Sequence, residues 1–185
     1  MSLLTRFLSL FEPSVVAAPP PGILPPPVPE PVPAPRDFNA VAIEVAAALA
    51  RRFEGLYLRP YLCPAGVPSI GYGATYYPNG RRVTLSDAPI TREQAEEMLL
   101  WMVRTVYLPA VLKLCQGIDT PERLAAIIDW TFNLGAGNLK ASTLRKRVNA
   151  GRWADVPAEI RKWNRGGGRV LRGLVLRREA EAVLI

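Results

Sequence analysis

From residue 37 onward the apolar positions change period twice, and those changes divide the chain. Val41, Ile43, Ala47, Leu49 and Phe53 recur at helical spacing behind Asp37, a suitable N-cap, and predict a first helix to about residue 53. The pattern then shortens. Leu56 to Leu62 and Pro68 to Gly73 read as two strands around the turn Cys63-Pro-Ala-Gly66. A second turn, Tyr77-Pro-Asn-Gly80, precedes Arg81-Arg82-Val83, so residues 56–85 form a small β region. Thr91-Arg-Glu93-Gln94 has the form of a capping box and opens a helix to about Cys115, which Pro109 should kink or break. Helical segments come next near 121–133, 141–149, 152–163 and 173–184, separated by Gly135-Ala-Gly137, Gly151 and Gly166-Gly167-Gly168. The fold class expected is α+β with two lobes: a small β-hairpin region and a larger helical lobe, joined by a long helix. A cleft between such lobes is the natural place for a site.

Residues before 37 obey neither period. Eleven of the 19 prolines lie there, mostly in Pro19-Pro20-Pro21, Pro25-Pro26-Pro27 and the alternating run Pro29 to Pro35. Such a sequence favours extended polyproline II, so 13–36 reads as a semi-rigid spacer, with a PxxP-type ligand as the lesser reading. Residues 1–12 form a short amphipathic peptide, in which Arg6 and Glu12, followed by Pro13, spoil a signal core. A docking helix or a frayed end suits it better than an anchor. The domain proper is 37–185. No apolar run reaches the roughly 18 residues that a membrane-spanning helix needs.

The net charge of +7 sharpens the picture. Arg6 and Arg36 balance Glu12 and Glu30, so the whole excess sits on residues 37–185. A basic body suits an anionic partner: a nucleic acid, lipid headgroups or an acidic wall polymer. There is no histidine, which removes Ser-His-Asp and Cys-His catalysis and histidine-ligated zinc. The two cysteines, Cys63 and Cys115, lie on different predicted elements and are expected to be free thiols. Any chemistry therefore falls to carboxylates, hydroxyls, thiols or lysines, and neither metal nor cofactor is expected.

Residues 53–75 place such groups together. Glu54 ends the first helix, Cys63 comes nine residues on, and Ser69 six after that, before the strand Ile70-Gly71-Tyr72-Gly73. Glu54 is a candidate general acid, with Phe53, Leu56 and Tyr57 as apolar shielding. As an average glutamate it would be a surface residue at a helix end. Cys63 and Ser69 come close across a hairpin, although a cysteine there also reads as a small buried residue. Gly71 and Gly73 allow close backbone approach on a strand. Hydrolysis of a glycosidic bond normally uses two carboxylates, and this stretch supplies one.

The run Glu54-x8-Cys63-x5-Ser69 followed by Ile-Gly-Tyr-Gly resembles the phage-type lysozymes, or endolysins, of glycoside hydrolase family 24. That family's pattern is Glu, eight residues, Asp or Cys, five residues, Thr, then an I-G-x-G strand. The resemblance continues through Ile90-Thr91, Phe132-Asn133-Leu134-Gly135, Ser142-Thr143-Leu144 and Gly173 to Glu179, covering roughly 38–185. It implies a two-lobed lysozyme-like fold, with Glu54 as proton donor, Cys63 in the second catalytic position and Ser69 helping to hold a water. Phe132 would line the substrate cleft, with Thr75 and Thr143 as further substrate contacts. Ser69 keeps the family hydroxyl but lacks the methyl of threonine, and Ala74 stands where many members carry histidine.

The resemblance implies a peptidoglycan hydrolase acting between N-acetylmuramic acid and N-acetylglucosamine, in host-cell lysis or phage entry. The missing second carboxylate motivates an alternative, an inactive wall-binding or virion module that keeps the fold. Nucleic-acid binding is the least favoured reading. Arg145, Lys146, Arg147, Arg152, Arg161, Lys162, Arg165, Arg169, Arg172, Arg177 and Arg178 are dense but sit at helical spacing, as a solvated face would. Expected partners are peptidoglycan, anionic membrane or wall polymers, and virion or tail proteins through residues 1–36. The expected location is the host cytoplasm, then the periplasm and cell wall through a hole made by a holin, or else the virion.

Overall fold

The computed structural model describes residues 37–185 apart from Pro64, so the expectations for residues 1–36 lie outside it. The element order is α1 (Phe38–Phe53), β1 (Tyr57–Leu62), β2 (Pro68–Gly71), α2 (Arg92–Met102), a π-helical turn (Val103–Tyr107) and α3 (Leu108–Leu114). Then come α4 (Pro121–Leu134), α5 (Ala136–Ala141), α6 (Thr143–Asn149), a 3-10 turn (Trp153–Asp155), α7 (Val156–Arg161), β3 (Arg165–Gly166), β4 (Arg169–Val170) and α8 (Arg172–Ala182). The expected α+β class holds: small antiparallel sheets accompany a predominantly helical body.

Asp37 caps α1, its carboxylate accepting from the Asn39 N–H at 3.1 Å. The buried face of α1 matches the expected one only at Ile43 and Ala47. It is Ala42, Ile43, Ala46, Ala47 and Ala50, while Val41 and Leu49 are only half-buried. The reason lies across the interface. α1 packs along α4, whose Leu124, Ile127, Ile128 and Trp130 are bulky and fully buried, and the small alanines let the two helices approach. This contact fixes where α1 ends, and therefore where Glu54 stands.

β1 and β2 pair antiparallel, Tyr61 opposite Ser69 and Leu62 opposite Pro68, with an irregularity between Tyr57 and Tyr61. Pro60 lies inside it and has no N–H for a ladder bond, so a bulge is the expected accommodation. β2 stops at Gly71. Gly71 and Gly73 have φ of +64° and +90° and belong to a turn that returns Ala74 to Ile70, rather than to the continuous strand expected there. An L side chain at either position would be strained.

The capping box at Thr91 and Gln94 is present, opening α2. Pro109 does not break the helix; the chain widens by one residue instead. The Leu108 N–H bonds to the Val103 carbonyl, five residues back. That wide turn gives room to a proline ring that would otherwise meet the carbonyl of Thr105, four residues back. Three short elements went unforeseen: α5, which begins in the Gly135-to-Gly137 spacer and runs to Ala141, and β3 and β4 around the triple glycine. Among the described residues no helix is long and apolar enough to cross a membrane.

Enlarging a side chain on the alanine face should push the helices apart. Ala46→Leu is expected to cost about 1–3 kcal/mol, read as a lower urea midpoint at unchanged slope. Ala48→Leu, on the exposed side of α1, should leave the midpoint in place.

Candidate active site

Glu54 is the C-cap of α1, in extended conformation (φ −92°, ψ 141°), with its N–H bonded to the Ala50 carbonyl at 2.8 Å. The backbone that carries it is therefore held by the helix, while its side chain turns away from the helix axis. Its carboxylate meets a buried charge. Oε1 accepts a hydrogen bond from the Arg177 guanidinium, and the side chain keeps 28% exposure, facing a cleft. That leaves Oε2 for a substrate.

Arg177 is the centre of the site. It lies on α8, is 2% exposed, and binds Asp129 of α4 through two parallel hydrogen bonds, Nε to Oδ2 at 2.9 Å and Nη2 to Oδ1 at 2.7 Å. The rings of Phe53 and Phe132 each stand 5.9 Å from its guanidinium carbon. Burial opposes its charge, but Asp129 and then Glu54 outweigh that and hold it protonated. One turn along, Glu181 receives a 2.5 Å hydrogen bond from the neighbouring buried Arg178. Burial pushes Glu181 up to about 9, with Asp129 adding to the shift and Arg178 opposing it.

Here the structure corrects the reading of Arg177 and Arg178 as part of a solvated cationic face. Both are buried, whereas Lys146, Arg152, Arg161, Lys162, Arg165, Arg169 and Arg172 are exposed as expected. A sequence signal for the buried pair exists. Asp129 interrupts the apolar run Ile127-Ile128-x-Trp130, and an acid in such a stripe calls for a buried cation.

The cleft has a volume of about 250 Å³ and is lined by Glu54, Tyr61, Cys63, Ser69, Tyr72, Gly73, Thr75, Tyr107, Phe132 and Asn133. It thus gathers five of the six residues singled out from the sequence. Thr143 is the exception; it begins α6, is exposed and does not line this cleft. Cys63 sits where β1 enters its turn, its N–H bonded to the Val67 carbonyl at 3.0 Å. Backbone hydrogen bonds from Val67 and Ala65, followed by the Ser69 hydroxyl, pull the thiol below its ordinary range. The buried Cys115 is pushed up to about 11 by desolvation. Both thiols are free. Ser69 is 1% exposed and its hydroxyl donates to the Val67 carbonyl at 3.1 Å.

Aromatic side chains complete the walls. Tyr107 packs on Phe132 with ring centres 4.8 Å apart, and burial, then the nearby Glu54, raises its phenol above the usual range. Tyr61 is raised by the same two causes. Tyr72 donates at 2.6 Å to Glu96, which also pairs with Arg51 at 2.6 Å, tying the glycine turn to α1 and α2. Sequence reasoning missed Tyr61, Tyr72, Tyr107 and Asn133 as cleft residues. Glu54 is the only acid among the lining residues, and no cluster of metal-ligating side chains occurs among the described residues.

The family model for phage lysozyme matches residues 51–181, a span that contains Glu54, Cys63, Ser69, Asp129 and Arg177. The chain belongs to the phage lysozyme family. It is 35% identical over 146 residues to an endolysin of Acyrthosiphon pisum secondary endosymbiont phage 1, a match covering 76% of this chain and 94% of that protein. It is also 35% identical over 136 residues to an endolysin of Bacillus phage B103, covering 74% of this chain. There it spans half the length of the longer relative. Among solved structures, an endolysin from Escherichia coli O157:H7 phage FAHEc1 superposes with a TM-score of 0.66 at 31% identity. That match covers 80% of this chain and 92% of the other. The lysozyme-like fold expected from the sequence is therefore present.

In this lysozyme-family chain the Arg177–Asp129 pair is out of solvent, so removing one partner strands the other. Arg177→Met should cost about 3–5 kcal/mol in denaturant unfolding. Arg177→Met combined with Asp129→Leu should recover most of that loss, because Asp129 is no longer stranded in the core.

Proposed function

We propose that this chain hydrolyses peptidoglycan, cutting the β-1,4 bond between N-acetylmuramic acid and N-acetylglucosamine. One observation carries the reading: Glu54, Cys63 and Ser69, drawn from three successive pieces of chain, line the same cleft in a phage lysozyme fold. Glu54 gives a proton from Oε2 to the glycosidic oxygen as the bond to the anomeric carbon breaks. Positive charge then develops on the sugar ring, and the Cys63 thiolate opposes it. A water held by the Ser69 hydroxyl adds its oxygen to the anomeric carbon and passes its proton to Cys63. Solvent resets both groups. Thr75 and Phe132 contact the sugars flanking the scissile bond, whereas contact at Thr143 requires a strand that runs past the cleft.

The +7 charge suits an anionic wall, and attraction through exposed arginines should weaken with salt. The endolysin relatives favour action at the cell wall after release from the host cytoplasm. Partners among anionic membranes, or among virion proteins through residues 1–36, are proposals that rest on charge and composition alone.

A second reading, a wall-binding module without turnover, draws on the absence of a second carboxylate from the cleft lining. Turbidity loss on purified peptidoglycan separates the two. Glu54→Gln should abolish it while leaving the fold intact. Cys63→Ala should fall by about 100-fold or more, in the range of a lost general base, and Cys63→Asp should restore activity. Clearing by Glu54→Gln at the wild-type rate removes the assigned acid, and a fully active Cys63→Ala returns Cys63 to a packing role.

A further inference from the structure

A half-buried carboxylate outside the catalytic cleft joins the two walls that carry the site. Glu96 lies on α2, keeps 28% side-chain exposure, and is not among the residues that line the cleft. Each of its oxygens has a different partner. Oε1 accepts from the Tyr72 hydroxyl at 2.6 Å, and Oε2 from Arg51 Nε at 2.6 Å. Burial opposes the Glu96 charge, but the hydrogen bonds from Tyr72 and Arg51 outweigh it and hold the carboxyl below its ordinary range.

The two partners sit in matching places. Arg51 belongs to the last turn of α1, three residues before Glu54. Tyr72 follows β2, three residues after Ser69, and Ser69 pairs with Tyr61, two residues before Cys63. The glycine turn that holds Tyr72 lies against α2, since a Cβ placed on Gly71 would stand 3.5 Å from that of Ala95, the neighbour of Glu96. Arg51 and Tyr72 are 45 and 24 residues from Glu96 along the chain, so no local turn chemistry holds the three together. The loop from Tyr77 to Asp87 offers a comparison. There Asp87 accepts from the Tyr77 hydroxyl at 3.0 Å and from Arg81 Nη1 at 2.8 Å, the same side-chain types, but all within one loop.

We propose that Glu96 is a positioning residue for the hydrolysis: held at one oxygen by Tyr72 and at the other by Arg51, it fixes the wall carrying Ser69 and Cys63 against the helix end carrying Glu54. The inference rests on the glycosidase reading and goes beyond it, because it assigns the alignment of acid and thiol to a residue outside the cleft. Alignment of this kind matters to the rate. A misplacement of about 1 Å among reacting groups is enough to cost on the order of 100-fold.

The test measures kcat and KM on soluble peptidoglycan fragments, with urea midpoints alongside, for variants that keep good helix formers in place. Arg51→Met and Glu96→Met should each lower kcat by roughly tenfold or more with KM within about twofold, because substrate contacts remain while the reacting groups lose register. Arg51→Lys keeps a cation and should recover most of kcat. The double variant Arg51→Met with Glu96→Met should be no slower than Glu96→Met alone, since both break one bridge. Tyr77→Phe, which breaks the comparison cluster, should lower the urea midpoint and leave kcat in place. Wild-type kcat in Arg51→Met and Glu96→Met, a loss confined to KM, or losses that multiply in the double variant overturn the proposal. Hydrogen exchange keeps the bridge separate from the chemistry. Arg51→Met should speed exchange of the Ile70 and Ala74 amides, which bond to each other's carbonyls across the glycine turn. Faster exchange there upholds the bridge even when no fragment is cleaved, and unchanged exchange overturns it. Failure of folded wild type to cleave the fragments defeats only the glycosidase reading.

Discussion

The structure turns on one buried cation. Arg177 joins α8 to α4 through Asp129 and, from the same guanidinium, takes hold of Glu54 at the end of α1. Removing two charges from water is costly, and a well-packed apolar replacement would often be as stable. What the cluster supplies is placement. A planar guanidinium bound at both edges has little freedom, so the carboxylate that it touches is aimed into the cleft. The alanine face of α1 serves the same end, because the close approach of α1 and α4 sets the span that the Glu54–Arg177–Asp129 chain bridges.

The opposite side of the cleft is built on different principles. Cys63 and Ser69 depend on hairpin geometry and on backbone hydrogen bonds from the turn, not on buried ion pairs. A thiol in that position can act as an anion only where the backbone favours the thiolate, and hydrogen bonds from Val67 and Ala65 act in that direction. The site therefore sets a carboxyl positioned by a buried guanidinium against a thiol tuned by N–H groups. On the proposed reading, that contrast lets a cysteine do the work of a second carboxylate.

Much of this was legible in residue order, and the failures have physical causes. Helix starts at Asp37 and Thr91 carry their own capping chemistry, so local sequence sufficed. The spacing from Glu54 to Ser69 was enough to bring three side chains to one cleft, because a hairpin leaves few ways to connect them. The buried face of α1 was legible only at Ile43 and Ala47, because the deciding factor, the bulk of α4, lies some 80 residues away. Arg177 and Arg178 looked like surface cations because helical spacing does not reveal what stands opposite. Only Asp129 and Glu181, the acids that meet them, distinguish a buried network from a solvated face. The π-helical turn was missed for a related reason: Pro109 signals disruption, but a kink, a break and a wide turn all satisfy it.

The most direct measurement is mass spectrometry of the products released from purified peptidoglycan in water enriched in oxygen-18. Hydrolysis directed by Glu54 and Cys63 predicts new reducing ends at N-acetylmuramic acid, each carrying one heavy oxygen at the anomeric carbon. Products without reducing ends, reducing ends at N-acetylglucosamine instead, or no soluble products from folded protein would contradict the account.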